Sequence, residues 1–127
     1  DHAGFDLRGE IVNLARSEGF EVAVFGAPSA DSYDYPVAAD LVAQSIIAGE
    51  TIWGVLICGT GIGVSIRANR YSGIRAAVCC SPETASLARE HNHANILCMG
   101  SRTTSTEQAK EIFMIFNFAN ECHFIVQ

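Results

Sequence analysis

The chain has 127 residues, of which 49% are hydrophobic and 17% charged, and its net charge is −6. That length suits a single domain, 1–127, with a real core and little to spare. The acidic balance excludes a nucleic-acid surface, which needs clustered Lys and Arg, and no apolar run is long enough to span a membrane.

The chain opens at Asp1 without a methionine, directly on a loop-and-helix signature. A β/α chain that starts this way is expected to have a first strand before it. Residues 5–18 show a helical pattern with Phe5, Ile11, Val12, Leu14 and Ala15 apolar, and Gly19 is a plausible C-cap. Residues 21–25 (EVAVF) alternate like a strand, and a Gly/Pro/Ser/Asp-rich loop follows to Asp34-Tyr35-Pro36. A second helix is predicted over 37–48, stopped by Gly49. The apolar run 53–57 (WGVLI) reads as a buried parallel strand closed by Cys58, with a helix from about Val64 to Asn69.

Residues 74–80 read as the next strand. Ser81-Pro82-Glu83 then starts a helix to about His91, with a Ser cap, Pro at the first position and an acid in the first turn. A strand over 95–99 ends at Gly100-Ser101-Arg102, and Ser105 to Gln108 form a capping box for a last helix to about Phe118. Residues 119–127 show no clear period. Strands alternate with helices throughout, which argues an α/β, Rossmann-like three-layer fold with a parallel sheet. Four strands are visible, and one before Asp1 would make five.

Chemistry concentrates just after the strands, on what a parallel sheet makes one edge. Gly59, Gly61 and Gly63 follow Cys58 at alternate positions and lead into a helix, an arrangement that offers backbone N–H groups to an anion or a developing oxyanion. A free Cys is often a small buried hydrophobe, but the field of a helix N-terminus lowers a thiol's pKa and would suit a base or nucleophile. Both readings of Cys58 stand on sequence alone. Thr60 is either a turn hydroxyl or a donor to the same intermediate. Val64 occupies the third-glycine position of GxGxxG and no Walker lysine is present, which weakens a nucleotide-binding reading. His91 and His93 flank Asn92 at a helix end, where they either cap carbonyls or act in chemistry. Asp1 and His2 could form an N-cap pair. A zinc site from His2, Cys58 and His91 is conceivable, although nothing in their spacing demands it. Arg67 and Arg70 are either solvated surface or phosphate-facing. The five cysteines, Cys58, Cys79, Cys80, Cys98 and Cys122, form neither a disulfide framework nor a CxxC pattern, so the cytoplasm is the expected compartment.

Six motifs occur in one order: Asp1-His2-Ala3-Gly4, Asp34-Tyr35-Pro36, Cys58-Gly59-Thr60-Gly61-Ile62-Gly63, Gly73-Ile74-Arg75-Ala76, Arg89-Glu90-His91-Asn92 and Gly100-Ser101-Arg102. Together, from Asp1 to about Phe118, they resemble the ribose-5-phosphate isomerase B family, which also holds allose-6-phosphate and galactose-6-phosphate isomerases. The resemblance implies a five-stranded parallel sheet, a homodimer or dimer of dimers with active sites at the subunit interface, and cofactor-free, metal-free aldose–ketose isomerisation. Ribose 5-phosphate to ribulose 5-phosphate, in the pentose phosphate pathway, is the expected reaction, with a 6-phosphohexose as the alternative substrate. By position, Cys58 resembles the base that moves a proton between C1 and C2, Thr60 the hydroxyl assisting at the enediolate, and His91 the group that opens the furanose ring, with Asn92 beside it. The backbone of Gly59, Gly61, Ile62, Gly63, Val64 and Ser65 resembles the anion hole. Asp1, His2 and Tyr35 match positions lining the sugar, and Arg102 one near the phosphate.

The tail departs from the family's Gly-Gly-Arg-His-x-x-Arg pattern. Cys122 and Val126 stand where two phosphate-gripping arginines belong, and only His123 matches. A non-catalytic family member and a nucleotide-binding module are the rival readings.

Overall fold

The computed structural model describes residues 2–26 and 35–118, the side chains of His2, Ala3 and Tyr35 excepted. The elements run α1 (His2–Ser17), α2 (Tyr35–Ile47), β1 (Gly54–Cys58), α3 (Ile62–Ala68), β2 (Ala76–Val78), α4 (Pro82–Asn92), β3 (Ile96–Gly100) and α5 (Thr106–Phe118). The three strands are parallel in the order β1-β3-β2. β3 is buried at all five positions, as a strand covered on both faces must be.

Alternation along β3 divides the core. Leu97 and Met99 join α1, α4 and α5 on one face, through Leu7, Ile11, Ala88, Ile112, Phe113 and Phe116. Ile96 and Cys98 join α2 and α3 on the other, through Ala39, Ala43, Val64 and Ala68. Gly54 on β1 lets α2 approach closely: a Cβ there would stand 2.5 Å from a Val42 methyl. Local signals fix the helix ends. Ser81 and Thr84 form a reciprocal capping box on α4, with Ser81 Oγ accepting from Thr84 N at 3.1 Å.

Residues 21–25 correct the strand predicted there, because they take no ladder partner among the described residues and are not a strand. The alternating sequence supplies a strand-forming pattern, but a strand exists only where a neighbour takes its backbone groups. Arg8 Nη1 donates to Phe25 O at 3.4 Å. A cavity of about 840 Å³ is lined by this segment, by one face of α1 and by the whole of β1. The sheet therefore has three described strands rather than the four read from sequence.

Candidate active site

The carboxyl ends of β1 and β3 bring together Cys58, the turn from Gly59 to Ser65, and Arg102. β1 delivers Cys58, half-buried, and its Sγ accepts from Gly61 N at 3.2 Å. Gly61 has φ +80, a left-handed conformation, and a Cβ there would come within 3.0 Å of the Met99 backbone. This turn starts α3 at Ile62, two residues before the predicted Val64. Thr60 Oγ1, exposed, accepts from Ile62 N at 3.2 Å. The N–H groups of Gly63 and Val64 have no backbone acceptor among the described residues, as expected in the first turn of a helix. Val64 is itself core, at 1% exposure, so only its backbone can face a ligand. Ser65 Oγ donates to Ile62 O at 2.7 Å.

The loop after β3 braces this turn. Ser101 N and Oγ both donate to Cys58 O, at 2.8 and 3.3 Å, and Arg102 N donates to Gly59 O at 3.0 Å. The Arg102 side chain lies beside Gly59, with Nε 3.4 Å from where a Cβ would stand. At Gly100 a Cβ would overlap the Thr103 hydroxyl and the Thr60 backbone. Gly100 and Ser101 thus hold the site's shape. The Gly-Ser-Arg run signalled a strand end, but not that Ser101 and Arg102 clasp the Cys58 turn across a close approach that Gly100 permits.

His91 and Asn92 lie elsewhere. Both are exposed at the end of α4, a few residues before β3 begins. The amino ends of β1 and β3 are paired at Gly54 and Ile96, and their carboxyl ends at Cys58 and Gly100. His91 is therefore at the amino edge of the sheet and Cys58 at the carboxyl edge, separated by about 15 Å of strand. No group of three or more His, Cys, Asp or Glu side chains suited to a metal occurs among the described residues. Asp1, Asp34, the tail with Cys122, His123 and Val126, and the side chains of His2 and Tyr35 lie outside what is described. No helix among the described residues is long and apolar enough to cross a membrane.

The described thiols differ in environment. Burial pushes Cys79 up to about 11 and Cys98 higher still, whereas Cys58 is half-buried and Cys80 exposed. Alkylation reacts through the thiolate. Iodoacetamide at pH 8 is expected to label Cys80 and Cys58 and to spare Cys79 and Cys98, read by peptide mass mapping. Rapid labelling of Cys98 in the folded protein would contradict this placement.

The chain matches a known family in sequence and in fold. A family model described as Ribose/Galactose Isomerase matches residues 1–122. Ribose-5-phosphate isomerase B of Escherichia coli (strain K12) is 48% identical over 112 residues, covering 88% of this chain and 75% of the relative. Ribose-5-phosphate isomerase B of Clostridium thermocellum superimposes with a TM-score of 0.91 at 41% identity, covering 98% of this chain and 82% of that one. The ribose 5-phosphate isomerase of Thermotoga maritima gives 0.88 at 48% identity, covering 92% and 81%. By sequence and by fold, the chain belongs to the ribose/galactose isomerase family.

Proposed function

We propose that this chain interconverts ribose 5-phosphate and ribulose 5-phosphate, with Cys58 as the carbon base and His91 of a second copy as the ring opener. The observation that carries this reading is the seat of Cys58: a thiol at the carboxyl end of β1, held by Gly61 N–H beside turn amides that have no backbone acceptor. Aldose–ketose isomerisation needs one base over a carbon acid and donors for the enediolate that forms. His91 moves the proton from the anomeric hydroxyl to the ring oxygen, breaking the C1–O4 bond and leaving an open aldehyde. Cys58 thiolate takes the proton from C2, and the C2–H electron pair forms the C1–C2 double bond of the enediolate. The carbonyl pair moves onto O1 as that double bond forms; the thiol then returns its proton to C1, and the O2 hydroxyl proton passes to O1, leaving the C2 ketone and a C1 hydroxyl. Thr60 Oγ1 accepts from Ile62 N, so its hydroxyl proton is left to donate to the enediolate oxygens.

Asp1, His2, Tyr35 and Asn92 are assigned to the sugar and Arg102 to the phosphate by family position. These steps need no cofactor. Two copies are required because His91 and Cys58 of one chain stand on opposite edges of the sheet. Exposed apolar pairs at i, i+4 spacing also favour a homodimer: Val37 with Leu41 on α2, and Ile62 with Ile66 on the neighbouring α3. The free thiols among the described cysteines fit a cytoplasmic enzyme.

The same reading gives the sheet five strands: the three described, one leading into α1, and residues 21–25, which that strand would supply with a ladder partner. The cavity is lined by all five residues of β1 and by residues 21–25. The amino-terminal part of α1 (Gly4, Phe5) and its carboxyl-terminal part (Ala15) both line this cavity, so a strand leading into α1 would lie along β1. In a chain extended before Asp1 by such a strand, hydrogen exchange at the amides of β1 and residues 21–25 is expected to slow by at least about tenfold. Unchanged exchange would remove the fifth strand.

The function itself is tested by a coupled assay with ribose 5-phosphate, allose 6-phosphate and galactose 6-phosphate. Ribose 5-phosphate is the expected substrate. Turnover of only a hexose phosphate would move the assignment within the family, and turnover of none would favour a non-catalytic member.

A further inference from the structure

The buried face of α4 contains a charge where helical spacing puts a core residue. Ala85, Ala88 and Arg89 lie at i, i+3 and i+4, and all three are buried, Arg89 at 8% exposure. The guanidinium carbon stands 4.6 Å from the ring centre of Phe116 and 5.9 Å from that of Trp53. Nη1 donates to Ala94 O at 2.5 Å, while Nη2 is buried and meets no acceptor among the described residues. No carboxylate pairs with it among those residues, and burial pushes its pKa down. A buried, unpaired cation is destabilising on general grounds, so a better core residue was available in Met or Leu.

What Arg89 reaches is the turn that follows His91. Three successive carbonyls there are each taken by a different partner. His93 O accepts from Arg75 Nε at 2.9 Å, Ala94 O from Arg89, and Asn95 O from Gly54 N at 2.9 Å. Asn95 in turn accepts from Arg75 N at 2.8 Å and donates to Gly73 O at 2.9 Å. His93 sits at φ 50, ψ 40, a left-handed conformation that a side chain disfavours. These contacts hold the chain in that conformation, stop α4 at Asn92 and so fix how His91 leaves the helix. Arg89 also connects the turn to Trp53, the residue immediately before β1, whose far end is Cys58.

We propose that Arg89 is a positioning residue: packed against the adjoining rings of Trp53 and Phe116, it holds the Ala94 carbonyl and thereby fixes the turn that presents His91 for ring opening. The proposal rests on the ring-opening role of His91 given above. Its test separates ring opening from proton transfer between carbons. Ribose 5-phosphate reaches the enzyme mainly as a closed furanose, whereas an aldotetrose 4-phosphate has its O4 esterified and cannot close that ring.

In Arg89→Met, kcat for ribose 5-phosphate is expected to fall about 10- to 100-fold. On erythrose 4-phosphate the fall should stay within about twofold, because Cys58 is untouched. Arg89→Lys, which can still donate to Ala94 O, should recover part of the ribose 5-phosphate rate, and it replaces the Met variant if that one does not fold. Equal losses on both substrates, or no loss on either, would overturn the proposal. If the native protein turns over no sugar phosphate, the functional reading fails separately. The ring signals of His91 in an NMR spectrum then decide. A single set that splits or shifts in the variant sustains the positioning role, and an unchanged set ends it.

Discussion

Cys58→Ala is expected to lower kcat by about 10³-fold or more, with KM little changed and the fold intact. The direction follows from what alanine lacks. It has no group to take the C2 proton, and neither Thr60 nor Ser65 is a base at neutral pH. The magnitude is that of losing a general base whose place no neighbour fills. The cost to the fold should be small, because the thiol is only half-buried and its described bond is a single N–H contact from Gly61. The braces on the strand end use the Cys58 carbonyl, which the substitution keeps. Cys58→Ser should also be inactive, since a hydroxyl of similar size is a far weaker acid than a thiol. Initial rates with ribose 5-phosphate, beside circular dichroism of each variant, decide the matter. Activity within about threefold of native in the alanine variant would remove Cys58 as the base.

Much of this site was legible in the sequence, for reasons that can be located. A β-branched run ending in Cys58 and three alternate glycines contains its own strand, turn and helix start. The ends of β1 and α3 differ from the reading by one residue, and α3 begins two residues early, at Ile62, because Gly61 turns the chain sooner than the apolar pattern shows. Chain order alone placed His91 at a helix end rather than a strand end, and so already separated it from Cys58.

What failed depended on contacts distant in sequence. Residues 21–25 have the alternation of a strand, but pairing is a property of two segments and none of the described ones forms a ladder with them. β2 is only Ala76–Val78 where residues 74–80 were predicted. Ile74 is buried in the core instead, and the backbone of Ala76 is tied by Asn69, whose Oδ1 accepts from Ala76 N at 2.8 Å and whose Nδ2 donates to Ala76 O at 2.9 Å. The role of Arg89 was missed because only the folded core brings Trp53 and Phe116 against it.

The separation of His91 from Cys58 leads to the second large effect. If each active site takes Cys58 from one copy and His91 from the other, Cys58→Ala and His91→Ala homodimers each lack one essential group at both sites. A mixed dimer is different: one of its two sites receives both defects and the other receives neither. Random reassortment of equal amounts makes about half the dimers mixed, with one good site in two, so about a quarter of native activity is expected to return. Each variant alone should remain depressed by about 10²-fold or more. The recovery must depend on subunit exchange, so it should appear after co-refolding or long incubation and be absent immediately after mixing. The opposite arrangement, with both groups acting from one chain, would require His91 to cross about 15 Å from the amino to the carboxyl edge of the sheet. It would also give no recovery at any ratio, because every chain in the mixture then carries a defect in its own site. A mixture that stays at the level of its components after proven exchange would eliminate the shared site, and a return near one quarter would establish it.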